Sequence, residues 1–140
     1  MLLAIFADIH ANRQAFAACL DAARARGAER LILLGDFVGY GGDPEWTVDT
    51  VMGLVEQGAV AVRGNHDHAI DNPSESMNPS AKAAIDWTRG RLNADQRHFL
   101  AIAGGMCLVS LVAMLLPPAT RVVACGFGNA LVLWIGASLF

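Results

Sequence analysis

Short, nearly unbroken apolar runs alternate along the first sixty residues with segments whose apolar positions recur at helical spacing. The runs are Leu2–Ala7, Arg30–Leu34 and Ala59–Val62. Their brevity and lack of polar alternation predict parallel strands covered on both faces. Between the first two, Phe16, Cys19, Leu20 and Ala23 mark one face of a helix from about Arg13 to Arg26. Asn12 is placed to cap it, and Gly27 stands where a left-handed stop is wanted. Asp43-Pro44-Glu45 then reads as cap, first-turn proline and first-turn acid. That helix runs to about Gln57, burying Val51, Leu54 and Val55, and Gly58 ends it. Strands alternating with helices over short connections predict a β-α-β-α-β parallel sheet with right-handed crossovers.

Further on, Asp71–Pro79 is polar and holds two prolines, so it reads as an exposed loop. Ser80 opens a predicted helix through Leu92, weakened near Gly90, and Asn93 caps another from Ala94 to about Ala103, with Phe99 and Leu100 facing inward. The character then changes. From Gly104 onward the single charged residue is Arg121, although the chain as a whole holds 16% charged and 54% hydrophobic residues. The division expected is therefore an α/β part over residues 1–103 and an apolar tail over 104–140. Within the tail, Val122–Phe140 approaches the roughly 17–25 residues that span a bilayer. Four residues, Gly126, Gly128, Asn129 and Gly136, dilute it, and no basic cluster orients it. Three readings stay open: a membrane segment, the product of a shifted reading frame, and a buried sheet element.

Length and charge add boundaries. A chain of 140 residues fits one domain with a real core. A net charge of −3 argues for no nucleic-acid surface. Cys19, Cys107 and Cys125 form no C-x-x-C pair and read as buried thiols of a reducing compartment. The N-terminus has no basic segment ahead of its apolar run, so no signal peptide is expected and the cytoplasm is the expected location. Attachment to a membrane through 122–140 is the alternative.

The chemistry lies where the strands stop. The first run ends at Asp8-Ile9-His10, the second at Gly35-Asp36 and the third at Gly64-Asn65-His66-Asp67. Asp8-Ile9-His10 alone reads as a solvated strand end and Gly35-Asp36 as ordinary turn chemistry, whereas Gly64-Asn65-His66-Asp67 is the more specific cluster. Together they place carboxylates, imidazoles and an amide beyond the carboxyl ends of three parallel strands, where such sheets bind ligands. Carboxylate, imidazole and amide oxygen suit Mn²⁺, Fe²⁺ or Zn²⁺ better than Ca²⁺. Two such ions sharing Asp36 would polarise a phosphoryl oxygen and activate a water, and an imidazole opposite could protonate the leaving oxygen.

At these residues the chain resembles the calcineurin-like metallophosphoesterases, over roughly Met1–Ala103. The run Gly35–Gly41, G-D-x-V-G-Y-G in pattern, is similar to the small bacterial branch. The resemblance implies half of an α/β sandwich and hydrolysis of phosphomonoesters or phosphodiesters, on a phosphorylated small molecule or a phosphoprotein. It implies that Asp8 and His10 ligate one metal, that Asp36 bridges two, that Asn65 ligates the second, and that His66 acts as general acid or transition-state stabiliser. Two departures stand out. Gly39 occupies the position where the family's protein phosphatases carry an acid. The family's later lone histidine and G-H-x-H pair have no counterpart, because no histidine follows His98. One metal or fewer is then expected to be held well. His68 and His98 read as surface residues. Three hypotheses follow: a metal-dependent phosphoesterase, a truncated or frame-shifted non-catalytic remnant with partial metal binding, and a membrane-anchored member of the family.

Overall fold

The computed structural model describes residues 1–73 and 77–103, together with the backbone of two further strands at Arg121–Gly126 and Trp134–Ile135. Strand β1 (Leu2–Ala7) leads through helix α1 (Arg13–Ala25) to β2 (Arg30–Leu33), and α2 (Pro44–Glu56) leads to β3 (Val60–Ala61). A single turn of helix, α3 (Asn65–Ala69), follows, then α4 (Pro79–Arg91) and α5 (Ala94–Ile102). The two late strands are β4 (Arg121–Gly126) and β5 (Trp134–Ile135). All form one sheet in the order β3-β2-β1-β4-β5. Its first three pairings are parallel, with Ala4 opposite Leu31 and Val123 and Ile32 opposite Val60, while β4 and β5 are antiparallel.

The expected β-α-β-α-β parallel order is the order found. β1 is an interior strand, which accounts for its unbroken apolar sequence. Leu3, Ala4 and Phe6 are all buried there. Phe6 meets the Phe16 ring edge-on at 5.6 Å, which seats α1 on the sheet. Val48, Val51 and Leu54 of α2, Ile85 of α4 and Leu100 of α5 join the same core. Gln96 is buried between helices, donating to Asp49 Oδ1 at 2.7 Å and so tying α5 to α2.

One helix start and one expected cap differ from the expectation, for local reasons. Helix α4 begins at Pro79 rather than after Ser80, because the Asn78 side chain accepts from Ala81 N at 2.8 Å and Pro79 presets the first turn. Asp43 does precede α2, but its carboxylate makes no capping hydrogen bond. Its backbone N–H instead donates to Ala11 C=O at 3.2 Å, so Asp43 is held by the neighbouring loop. One element escaped the sequence reading: α3 grows out of the Gly-Asn-His-Asp cluster itself.

Parts of the apolar tail enter the sheet as β4 and β5. Residues 104–120, 127–133 and 136–140, where most of the expected membrane segment falls, lie outside the described residues. Among the described residues, no helix is long and apolar enough to cross a membrane. Of the polar loop before α4, residues 71–73 are exposed and 74–76 lie outside the described residues.

The α4 start makes a direct test. Asn78→Ala should lower stability by about 1 kcal/mol, whereas Ser80→Ala, inside the first turn, should cost less than about 0.5 kcal/mol. Urea unfolding midpoints of the two variants would separate them.

Candidate metal centre

Beyond the ends of β1 and β2 the backbone departs from ordinary conformations. Asp8, His10 and Ala11 after β1, and Asp36 and Tyr40 after β2, all have φ between 49° and 55°. Among the described residues these are all the non-glycine positions with positive φ. Each costs about 1–2 kcal/mol relative to right-handed backbone, so the surroundings must impose them. Hydrogen bonds between the two loops do so. His10 N–H donates to Asp36 C=O at 2.8 Å, Ala11 N–H to Phe37 C=O at 2.7 Å, and Gly41 N–H to His10 C=O at 2.9 Å. The pairing of β1 with β2 thus continues past both strands and brings Asp8, His10 and Asp36 to one edge.

The third cluster is locked on by glycine and by a buried carboxylate. Gly35, at φ +90°, and Gly64 meet backbone to backbone: a Cβ on Gly35 would overlap Gly64, and one on Gly64 would overlap Asp36. Asp67, 2% exposed, accepts from Phe37 N–H at 2.8 Å and Val38 N–H at 3.2 Å through Oδ1, and from Gly64 N–H at 3.0 Å through Oδ2. One side chain therefore fastens the β2–α2 loop to the turn after β3. Burial pushes its pKa up to about 7, opposed by the N–H donors and reinforced by the nearby Asp36 charge. From the other side, the Arg89 guanidinium of α4 donates to Ala69 C=O at 3.0 Å and to Ile70 C=O, satisfying the carboxyl end of α3.

Asp8, His10 and Asp36 each offer a ligand atom, all within 4.8 Å of one another. His10 Nδ1 lies 3.1 Å from Val38 C=O, which can only accept, so that nitrogen carries the proton. Nε2 is left as the lone-pair nitrogen, 3.7 Å from Asp8 Oδ1. A backbone carbonyl orienting a histidine in this way is the usual support of a metal ligand. Asp36 Oδ1 accepts from His66 N–H at 2.9 Å, which holds its carboxylate in place. The donor set, two carboxylates and one correctly oriented imidazole, fits a borderline divalent ion.

His66 is buried beside this group, its ring 4.7 Å from that of His10. Burial lowers its pKa, Asp36 raises it, His10 lowers it and Asp8 raises it. Its Nδ1 has no hydrogen-bond partner among the described residues. The reason lies at Gly39, where a Cβ would stand 2.5 Å from that nitrogen. The ring packs on the glycine, and no acid can stand there without moving it. Asn65, exposed at the start of α3, sits between Gly64 and His66, both of which approach the Asp36 side chain. His68 and His98 are exposed.

The sequence model described as calcineurin-like phosphoesterase matches residues 1–115. The chain belongs to that family. An uncharacterised protein of Methanocaldococcus jannaschii, MJ0912, is 32% identical over 101 residues, which are 71% of this chain and 40% of that one. A crystal structure of a metallophosphoesterase from Sphaerobacter thermophilus superposes with a TM-score of 0.61 at 32% identity, covering 76% of this chain and 42% of that one. The hypothetical protein PH1004 of Pyrococcus horikoshii gives 0.62 at 20% identity over 73% of this chain and 48% of its own, a likeness of fold. This calcineurin-like phosphoesterase chain thus spans less than half the length of these relatives.

Two residues of the site carried no assigned role in the sequence. Asp67 was visible as the last letter of its cluster, but only tertiary contacts make it the fastener of two loops. Tyr40 was visible between two glycines. Its ring lies 5.0 Å from His10 and 4.9 Å from His66, closing a trio of rings.

Asp67→Asn tests the fastener. The amide would keep the Oδ1 contacts but set its NH₂ against Gly64 N–H, an expected loss of about 1–3 kcal/mol. The sign with pH also follows. Asp67 has an ordinary value of 3.8 and a folded value of about 7, so its protonated form favours the fold. That contribution is complete below the ordinary value and lost as pH rises to about 7. Unfolding of both proteins with EDTA present should show the gap between them narrowing across this window.

Proposed function

We propose that the chain is a metal-dependent phosphoesterase that hydrolyses phosphomonoester or phosphodiester bonds of a phosphorylated small molecule or a phosphoprotein. The observation that carries this is the convergence of Asp8, His10 and Asp36 within 4.8 Å, with His66 packed on His10. Asp8, His10 and Asp36 would hold one ion, and Asp36 with Asn65 would serve a second. A divalent ion held here would supply Lewis acidity toward a phosphoryl oxygen and would lower the pKa of water. The chain's own residues do the rest. Val38 C=O keeps His10 in the tautomer that presents Nε2. His66 N–H restrains the Asp36 carboxylate, and the His66 side chain is the group that would deliver a proton to the leaving oxygen. The buried Asp67 holds the loop bearing Asp36 against the turn bearing His66.

A second reading has its own observation. Among the described residues, Asp8, His10 and Asp36 are the one group placed to hold an ion, and Asn65 is not part of it. On that reading the chain keeps the metal edge without turnover.

Hydrolysis of an aryl phosphate with added Mn²⁺ separates the two. The phosphoesterase reading expects a rate that falls by roughly 100-fold in Asp36→Ala. Equal rates in the two proteins would exclude it. Elemental analysis finding a single Mn²⁺ per chain, with no metal-dependent rate, would favour the second reading.

A further inference from the structure

Helix α3 is a single turn, and it carries His66. A helix this short does not hold itself, because the cost of its first turn is not repaid by further turns. Contacts from elsewhere must fix both of its ends. At the start, Asp36 Oδ1 accepts from His66 N–H and Asp67 Oδ2 accepts from Gly64 N–H. At the finish the sequence withholds a donor. Ala69 C=O would take its helical hydrogen bond from the N–H four residues on, and that residue is Pro73, which has none. Ala69 and Ile70 are both buried, so solvent offers little in its place.

Arg89 supplies what is missing. From the last turns of α4, its Nη2 donates to Ala69 C=O at 3.0 Å and its Nε donates to Ile70 C=O. Its Nη1 donates to Asp86 Oδ1 at 2.9 Å, which holds the guanidinium against its own helix. The planar fork reaches two successive carbonyls at once, as the single point of a lysine ammonium does not. None of these bonds goes to Asp8, His10 or Asp36. The contact matters for His66 because its ring lacks a second anchor. His66 Nδ1 has no hydrogen-bond partner among the described residues, and the ring rests on Gly39 and His10 by packing. With no partner on that nitrogen to turn the imidazole, the placing of the α3 backbone decides where it points.

We infer that Arg89 is a positioning residue for His66, holding the far end of α3 so that the imidazole meets the leaving oxygen. This rests on the phosphoesterase reading given above. In hydrolysis a water oxygen bonds to phosphorus, the bond from phosphorus to the ester oxygen breaks, and that oxygen departs as an alcohol on taking a proton from His66. The proton shed by the water passes to solvent, from which His66 is reprotonated. The demand for a proton donor grows with the basicity of the leaving oxygen. Arg89 therefore matters most for esters with basic leaving oxygens and takes no part in holding the ion.

The test is steady-state hydrolysis of phenyl phosphate and of 2,4-dinitrophenyl phosphate by the Mn²⁺-loaded full chain. Displacing the proton donor costs the first ester and spares the second, whose leaving group departs without help. Arg89→Ala should lower kcat on phenyl phosphate by about tenfold or more and on the dinitrophenyl ester by less than about twofold, with KM and Mn²⁺ affinity unchanged. Arg89→Lys, which keeps the charge beside Asp86 but cannot span both carbonyls, should show the same contrast between esters. Arg91→Ala is the control: it removes another contact of α4, the 2.8 Å pair with Glu45, and should leave the ratio of the two rates unchanged. A second readout needs no turnover. In the metal-free chain, Arg89→Ala should speed hydrogen exchange at the His66 amide by about tenfold or more and leave the Phe6 amide of β1 unchanged. An equal fall on both esters, or unaltered exchange at His66, would overturn the role of Arg89 alone. A wild-type chain that hydrolyses neither ester would overturn the phosphoesterase reading, and the positioning role with it.

Discussion

A carboxylate removed from water must be met by hydrogen-bond donors or it destabilises the fold. Asp67 meets that demand with backbone alone, taking N–H groups from Phe37, Val38 and Gly64. Phe37 directly follows the candidate ligand Asp36, and Gly64 lies two residues before His66. The contacts that seat this one buried carboxyl group therefore also set the distance between the two halves of the site. Arg89 works in the same sense from α4, closing the end of the short helix that carries His66.

The metal edge is built mainly from backbone in conformations that side chains avoid. Its five left-handed non-glycine residues lie in two loops that hydrogen-bond to each other, and Gly41 stands where one loop presses closest on the other. The strain is imposed by a continuation of the β1–β2 pairing and offset by the core beneath it. Phe6, Phe16, Leu33 and Val48 supply that core. A rigid arrangement of this kind suits ligands that must be correctly placed before an ion arrives. It also explains why Gly39 cannot be exchanged for an acid in this chain. The His66 ring already occupies the space that a side chain would need.

The apolar segment after Ala103 shows how little composition alone decides. A run without charge satisfies a bilayer, a buried strand or chance equally well. In this chain Arg121–Gly126 lies beside β1 in parallel register, from Leu2 opposite Arg121 to Ala7 opposite Gly126. The pairing turns β1 into an interior strand.

Much of the fold was legible without coordinates, because its signals are local. Strand runs, helical periodicity, the Asn12 and Asn93 caps and the Gly27 and Gly58 stops depend on residues within a few positions of one another. So does the rule that parallel strands deliver ligands at their carboxyl ends, which made Asp8, His10, Asp36, Asn65 and His66 readable as candidates. The choice of Asn78 over Ser80 was a narrow one between capping residues two positions apart, and Pro79 between them decided it. What tertiary structure alone decided is which atoms meet across long separations. Asp67 reaches back thirty residues to Phe37, Val38 fixes the tautomer of His10, Gly39 packs on His66, and Tyr40 comes to rest over both histidines. No periodicity encodes such contacts. They arise only when strand pairing brings the loop ends together, and the close approach then leaves room for glycine and for nothing larger.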